Sequence, residues 1–288
     1  MNVKLSIITI NYNNAAGIMK SMKSVLFQTS NEFEYIVIDG GSTDGSKEVI
    51  ERFATDEKRL THWVSEPDAG IYNAMNKGIQ LAKGEYVQFV NSGDCLVDEM
   101  VTERMLCNLF ECKELPQIFY GNMLKQLPNG LFRDKGFAGR QPTMLDFFTG
   151  TLNHSPAYIK RNLFDIYGLY DETLKIVADW KWYMQVIVFE NVQPVYIDID
   201  VTLFDMNGIS TINSAFDKEE RQQVLVDMLP TKIIEDYKQY SFQIEQWKRI
   251  QRYKLIAKFY WLVERCLFKI DKIKTKNRLL KKQKISHL

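Results

Sequence analysis

Two short apolar runs in this chain each end in a turn of small residues that carries a carboxylate. Tyr35-Ile-Val-Ile-Asp39 leads into Gly40-Gly-Ser-Thr-Asp44-Gly45, and Tyr86-Val-Gln-Phe-Val90 leads into Asn91-Ser-Gly-Asp94. A carboxylate at the end of a buried strand is costly unless the strand opens there into a polar cleft. In open α/β sheets, ligands bind at the carboxyl ends of the strands. Two such ends within the first hundred residues predict a site for a phosphorylated ligand with its sugar or base.

The surrounding pattern sets the fold class. Lys4–Ile10 is a near-continuous β-rich run, as expected of a strand buried on both faces, and Asn11-Tyr-Asn-Asn14 breaks it. Ile18, Met22, Val25 and Leu26 then recur at helical spacing, Phe33–Asp39 reads as a second strand, and Ser42–Ser46 opens a helix with Val49, Ile50 and Phe53 inside it. Thr61–Ser65 is a third strand, Glu66–Gly70 caps a helix through about Ala82, and Glu85–Val90 is the fourth strand. This alternation predicts an α/β fold with a mostly parallel central sheet flanked by helices. A helix follows to about Cys112, then short strands at Ile118–Tyr120, Leu131–Phe137 and Ala157–Ile159, a helix at Ala178–Glu190, and strands at Val195–Ile199 and Thr202–Phe204. From Phe216 the pattern is helical, divided at Pro230.

Composition narrows the class further. The 288 residues are 45% hydrophobic and 25% charged, enough for a large globular core. Cys95, Cys107, Cys112 and Cys266 lack the paired spacing of a zinc site, and with three histidines in the chain reduced thiols in a cytoplasmic protein are expected. Met1 leads directly into strand-like sequence with no signal-peptide pattern, and no apolar run approaches the ~18 residues of a membrane span.

Three constellations can carry chemistry. The glycines after Asp39 let backbone approach a ligand, while Asp39 can accept hydrogen bonds from a base or ribose. No G-x-G-x-x-G dinucleotide fingerprint is present. In Glu66-Pro-Asp68-Ala-Gly70-Ile-Tyr-Asn73-Ala-Met-Asn76-Lys77-Gly78, the residues Asn73, Asn76 and Lys77 share a helix face that suits a phosphate or simply faces water. Asp94 beside Ser92 and Gly93 can hold Mg²⁺ or Mn²⁺ if diphosphate oxygens and water complete the shell.

Together these stretches resemble an inverting glycosyltransferase of family 2, which has the GT-A (Rossmann-like) fold. The similarity is carried by Ser6–Asn13, Ser24–Gln28, Tyr35–Ser46, Ser65–Gly78 and Gly84–Asp94, in matching order and spacing. It is greatest to bacterial enzymes of capsule, exopolysaccharide or lipopolysaccharide synthesis. The resemblance implies that Thr9, Asn11, Tyr12, Asp39, Asp68 and Lys77 bind a nucleotide-sugar donor, UDP by default, with Ser92 and Gly93 beside them. It implies that Asp94, matching the last acid of the family's Asp-x-Asp element, binds Mg²⁺ or Mn²⁺. Asn91 or Ser92 stands where another Asp is usual, a departure that bears on metal affinity more than on metal use. Asp179 of Ala178-Asp-Trp180 matches the family's catalytic base, a role that could coexist with capping its helix; Asp165 and Asp171 are weaker competitors. His154 and Trp180 would face the acceptor, and Asn207-Gly-Ile-Ser210 would form a loop closing over the donor. The implied layout is a GT-A domain over 1–215, with a donor half at 1–112 and an acceptor half at 113–215, and a basic helical extension over 216–288.

The net charge of +1 hides an asymmetry. From Arg252 onward twelve Lys/Arg face only Glu264 and Asp271, so this segment stands at +10 and residues 1–251 at −9. On a helical wheel Lys254, Lys258, Arg265, Lys269, Lys272 and Lys276 share one sector beside Ile256, Phe259, Tyr260, Leu262, Val263, Leu267 and Ile270. That pattern fits an anionic membrane surface, the inner face of a plasma membrane, or packing on protein. Nucleic acid is excluded as a partner, because the acidic body would repel it. The leading expectation is therefore sugar transfer from a nucleotide donor to a glycan or lipid-linked hydroxyl. The alternatives are a degenerate, non-catalytic scaffold in polysaccharide assembly and a sugar-1-phosphate nucleotidyltransferase. The last needs a basic Gly-rich loop after the first strand, and Asn11–Asn14 does not supply one.

Overall fold

The computed structural model describes residues 4–56, 59–112, 114–206, 208 and 214–285. The chain divides into two compact units, Met1–Met228 and Leu229–Leu288. In the first unit β1 (Leu5–Asn11), β2 (Phe33–Asp39), β3 (Leu60–Ser65) and β4 (Tyr86–Phe89) alternate with α1 (Ala15–Leu26), α2 (Ser46–Asp56) and α3 (Ile71–Leu81). β5 (Cys95–Leu96), α4 (Val101–Glu111), β6 (Ile118–Leu127), β7 (Gly130–Asp134), α5 (Met144–Thr149), β8 (Ala157–Lys160), α6 (Asn162–Tyr167), α7 (Ala178–Tyr183), β9 (Val195–Phe204) and α8 (Ser214–Met228) follow.

Among the described residues the strands form one nine-stranded sheet in the order β3-β2-β1-β4-β8-β6-β9-β5, with β7 on β6. The pairs β3–β2, β2–β1 and β1–β4 are parallel, as the strand–helix alternation requires, and put Asn11 beside Asp39 in register. Beyond β4 the sheet is mixed: β8 is antiparallel to β4 and β6, while β6 runs parallel to β9. β1 and β2 are buried along almost their whole length, with Ile7, Ile18, Met22, Tyr35, Val37 and Met105 in one core cluster. Burying a Leu- or Ile-sized side chain contributes about 1.5–3 kcal/mol, so this cluster fixes the strand ends at which the site sits. α3 lies unusually close to β1, since a Cβ on Gly78 would fall 2.6 Å from Ile8 Cγ2.

The expected strands over 195–204 are one continuous strand, and α7 passes into a π-helical stretch over Met184–Phe189 in which the Glu190 N–H bonds the Gln185 carbonyl. α8, expected to begin the extension, packs within the first unit. Glu220 accepts hydrogen bonds from the backbone N–H groups of Lys175, Ile176 and Val177, and Arg221 reaches the Gly150 carbonyl.

The second unit contains α9 (Thr231–Gln251) and α10 (Lys254–Ile285), joined by a Trp247–Tyr260 ring contact at 4.9 Å. Leu255, Phe259, Trp261, Leu262 and Phe268 of α10 are all exposed, with Arg265 stacked on Trp261 and Lys272 on Phe268. No helix among the described residues is long and apolar enough to cross a membrane.

Candidate active site

The end of β2 is organised by Asp39, which is fully buried. Its Oδ1 accepts from Asn11 Nδ2 at 2.7 Å and Ser42 Oγ at 2.5 Å. Its Oδ2 accepts from the Ser42 backbone N–H at 3.0 Å and Ser65 Oγ at 2.7 Å. Burial pushes this carboxyl up, but the bonds from Ser42, Ser65 and Asn11 outweigh it and hold Asp39 below the usual carboxylate range. Ser42 Oγ also accepts from the Asn13 backbone N–H, which a left-handed Asn13 (φ 47°) turns toward it. Asp39 thus locks the β1 and β2 turns and the end of β3 into one wall. The Asn11 side-chain oxygen is buried there with no hydrogen-bond partner among the described residues.

Gly40 marks the opening of this pocket. A Cβ at this position would lie 3.1 Å from Asp68 Oδ2 and 3.2 Å from the Tyr12 ring, so only glycine leaves the gap between them open. Tyr12 is 69% exposed at the rim and is free to stack on a ring. Asp68 does not cap α3, whose N-cap is Gly70; it accepts instead from Lys77 Nζ at 2.7 Å. Lys77 also reaches Glu66 at 2.8 Å, and the bonds to Asp68 and then Glu66 raise its pKa. Asn11, Tyr12, Asp39, Asp68 and Lys77 are therefore brought together. Thr9 lies beneath them: its side chain is fully buried, donates to the Val90 carbonyl at 2.7 Å and meets the Tyr35 hydroxyl at 2.8 Å. It supports the wall and presents nothing to a ligand.

The helix face carrying Asn73 and Asn76 meets neither phosphate nor water alone. Asn73 Nδ2 and Asn76 Nδ2 each donate to Glu172 at 2.8 Å, and Asn76 exchanges two further bonds with the backbone of Tyr170. This face docks the segment that leads into α7.

At the end of β4, Ser92 donates its backbone N–H to the Ile10 carbonyl, and Gly93 adopts φ 105°. A Cβ on Gly93 would fall 2.4 Å from Asp205 Oδ2, so the glycine makes room for a second carboxylate. Asp94 is buried, and its Oδ1 accepts from the Asp205 backbone N–H at 2.8 Å. Burial pushes the Asp94 carboxyl up to about 7; the Asp205 N–H and the Lys20 ammonium act against that rise, and the Asp205 charge adds to it. Lys20 Nζ itself bonds the Gly93 carbonyl at 3.1 Å. The Asn91 side-chain oxygen is buried here with no partner among the described residues. Two carboxylates and an unpartnered amide oxygen are hard donors that fit Mg²⁺ or Mn²⁺, with diphosphate and water completing the shell. No cluster of three His, Cys, Asp or Glu occurs among the described residues, so the protein alone offers a sparse set. Asp205 was missed in the sequence, although it too ends a strand, β9, and the rule that singled out Asp39 would have found it. Asn207, Ile209 and Ser210 of the expected donor-closing loop lie outside the described residues.

Asp179 sits in the first turn of α7, where Val177 rather than Asp179 is the N-cap. Its Oδ1 accepts from the Tyr72 hydroxyl at 2.8 Å. His154 stacks on Phe89 at 4.9 Å, and its Nε2 lies 3.2 Å from the Tyr170 hydroxyl. Burial pushes His154 below its ordinary value, and the nearby Asp179 charge opposes the shift. Burial, with the Asp179 charge adding to it, raises the Tyr183 phenol well above its ordinary range; its hydroxyl has no partner among the described residues. His154 thus lies within reach of the Asp179 charge. Trp180 is not an acceptor platform: it is buried, its indole N–H donates to the Phe147 carbonyl at 2.8 Å, and the Arg221 guanidinium covers its ring at 4.7 Å. Among the weaker competitors for the base, Asp171 is held down to about 2, mainly by Lys181, and Asp165 pairs with Arg161 on α6.

Comparison with known proteins gives the family and the fold. Residues 6–123 match the model for glycosyl transferase family 2. A PGL/p-HBAD biosynthesis glycosyltransferase from Mycobacterium bovis is 28% identical over 217 residues, covering 74% of this chain and 81% of the relative. An uncharacterized glycosyltransferase from Mycobacterium tuberculosis is 30% identical over 213 residues, covering 72% of this chain and 77% of the relative. Among solved structures, S. aureus TarS 1-349 in complex with UDP superposes with a TM-score of 0.57 at 20% identity, over 70% of this chain and 60% of TarS 1-349. A mannosyltransferase from Pyrobaculum calidifontis in complex with GDP-Man and Mn²⁺ gives 0.57 at 15% identity, over 78% of this chain and 64% of that one. The chain thus spans less than two thirds of these solved chains, and at such identities they establish the fold. This chain belongs to glycosyl transferase family 2 and has the GT-A fold of a glycosyltransferase, with further helices after it.

Proposed function

We propose that this glycosyltransferase moves a sugar, with inversion, from a nucleotide-diphosphate sugar to a hydroxyl of a glycan or lipid-linked acceptor in bacterial surface polysaccharide synthesis. UDP is the favoured nucleotide, since solved relatives of this fold bind UDP and UDP-GlcNAc, and the transferred group is a hexose or N-acetylhexosamine. The observation that carries the reading is that one helix, α3, holds the nucleotide wall through Lys77–Asp68 and the carboxylate of Asp179 through Tyr72.

Asn11, Asp39 and Tyr12 would take the nucleoside, with the unpartnered Asn11 oxygen as an acceptor for it. Asp94 and Asp205, aided by the Asn91 oxygen, would hold Mg²⁺ or Mn²⁺, which when bound stabilises the charge of the departing diphosphate. Asp179 removes the proton of the acceptor hydroxyl as that oxygen bonds the anomeric carbon and the bond from carbon to phosphate oxygen breaks. His154 borders the acceptor side. Calorimetric binding of UDP should strengthen in Mn²⁺, and Asp94→Ala should remove that gain; equal affinity with and without Mn²⁺ would discard the role of Asp94.

A membrane-bound acceptor accords with the exposed apolar and basic faces of α10, and we place the protein at the inner face of the plasma membrane. Lys258→Glu/Arg265→Glu/Lys269→Glu should reduce sedimentation of the full chain with phosphatidylglycerol vesicles. Unchanged sedimentation would assign α10 to protein packing.

A further inference from the structure

Tyr72 is buried in the first turn of α3 and offers one hydroxyl proton to two acceptors. Its oxygen lies 2.8 Å from Asp179 Oδ1, and it also hydrogen-bonds the Ile176 carbonyl, in the segment that enters α7. A phenol can donate once while accepting at its lone pairs. Burial first, and then the Asp179 charge, hold this phenol well above its ordinary value, while the backbone N–H groups of Asp179 and Ala178 act the other way. The phenol therefore stays protonated through any pH at which a carboxylate base works.

We infer that Tyr72 is a positioning residue for the base, an inference that rests on Asp179 filling that role. With Asp179 ionised, the Tyr72 proton points at Oδ1 in a charge-assisted bond, which fixes the carboxylate plane and leaves Oδ2 to meet the acceptor hydroxyl. After Asp179 has taken the acceptor's proton on Oδ2, Oδ1 is a neutral carbonyl oxygen, and the Tyr72 O–H is shared between it and the Ile176 carbonyl. One hydroxyl thus serves both protonation states, and no proton leaves the pair. The same helix carries Asn73 and Asn76, which hold Glu172 and Tyr170, and Lys77, which holds Asp68. Four residues of α3, Tyr72, Asn73, Asn76 and Lys77, therefore tie the segment around Asp179 to the nucleotide wall, and Tyr72 is the one that touches the carboxylate. The titratable groups around the pair are His154, Tyr170 and Tyr183. Burial lowers the first; the two phenols are raised and stay protonated as Tyr72 does, but the Tyr170 hydroxyl meets His154 and the Tyr183 hydroxyl has no partner among the described residues, so Tyr72 is the one that reaches the carboxylate.

The test compares Tyr72→Phe, Tyr72→Leu and Asp179→Asn in the full chain. Hydrolysis is followed against pH with whichever of UDP-glucose, UDP-galactose and UDP-GlcNAc turns over fastest, together with calorimetric UDP binding and thermal midpoints. Tyr72→Phe should keep UDP affinity, donor KM and the thermal midpoint, while kcat falls about 10- to 100-fold, the loss typical of a misplaced reacting group. The acidic limb of its kcat profile should move to higher pH, because the missing bond favoured the ionised form. The same displacement should appear in a His154→Gln background. Tyr72→Leu should add a loss of stability from packing. A Tyr72→Phe enzyme with wild-type kcat and pH profile, or one whose loss is wholly a loss of UDP binding, overturns the inference. If Asp179→Asn turns over normally, the base itself is elsewhere; if it is inactive while Tyr72→Phe is normal, only the role of Tyr72 fails.

Discussion

Asp39 closes β2 and Asp179 stands in the first turn of α7, and the surroundings of these two carboxylates are opposite. Asp39 accepts four hydrogen bonds, from Asn11, Ser42 twice and Ser65, so both of its oxygens are saturated by the protein. Asp179 accepts one side-chain bond, from Tyr72, and keeps acceptor capacity in reserve. The difference separates two jobs. A saturated carboxylate is a structural cross-link that shapes a pocket, whereas an under-coordinated one can take a proton from something that arrives.

The largest effect that would test this contrast is on transfer itself. Asp179→Asn should lower turnover by about 10²- to 10⁴-fold, the usual worth of a general base, with UDP affinity by calorimetry unchanged. Asp39→Ala should do the reverse in kind. It strands the buried donors of Asn11, Ser42 and Ser65, so urea unfolding should show a loss of about 1–3 kcal/mol and UDP binding should weaken with it. A variant at Asp39 with normal stability would mean that the cross-link is idle. Glu220→Ala removes the carboxylate that receives three N–H groups ahead of α7. It should cost about 0.5–2 kcal/mol, in the range of a lost helix cap, and lower kcat more than donor affinity.

The smallest expected effect is a pH dependence at His154. Its folded value is depressed from 6.5 by burial, so as pH falls the unfolded chain binds the proton first. The stability it contributes is complete above 6.5 and is lost as pH drops through that value toward the folded one. Between pH 7 and 5, the wild-type urea midpoint should fall further than that of His154→Gln. Parallel curves would place His154 in a more solvated setting than its ring contacts suggest.

Much of residues 1–112 was legible because the order of their strands and helices follows chain order. Strands buried on both faces read as apolar runs, and the residue ending each run is where a parallel sheet opens. That logic placed Asn11, Asp39 and Asp94 at strand ends, with Asp68 and Lys77 in the loop and helix after β3. Residues 113–215 resist the same reading because their contacts are distant in sequence. A helical wheel puts Trp180 on a face but cannot say that Phe147 and Arg221 close over it. Spacing put Asn73 and Asn76 side by side without revealing Glu172, about a hundred residues away, as their partner. The short elements β5, α5 and α6 carry too few residues for a periodic signal. β9 read as two strands because Asp198 and Asp200 interrupt its apolar pattern; in the fold both pair with Asn122, and Lys135 and Arg133 complete the network.

The missing side chain at Gly78 has a consequence for how such an enzyme can diversify. With α3 seated against Ile8 at a distance no Cβ would tolerate, the helix can neither slide nor roll on β1. It acts as a ruler: Lys77 and Tyr72 are five residues apart, about 7.5 Å of helix rise, and that interval spaces the side chains that hold Asp68 and Asp179. One inserted residue between them would swing the downstream face by about 100° and break either the Lys77–Asp68 or the Tyr72–Asp179 contact. Variation among such chains is therefore expected in segments outside this helix, while the length of α3 stays constant.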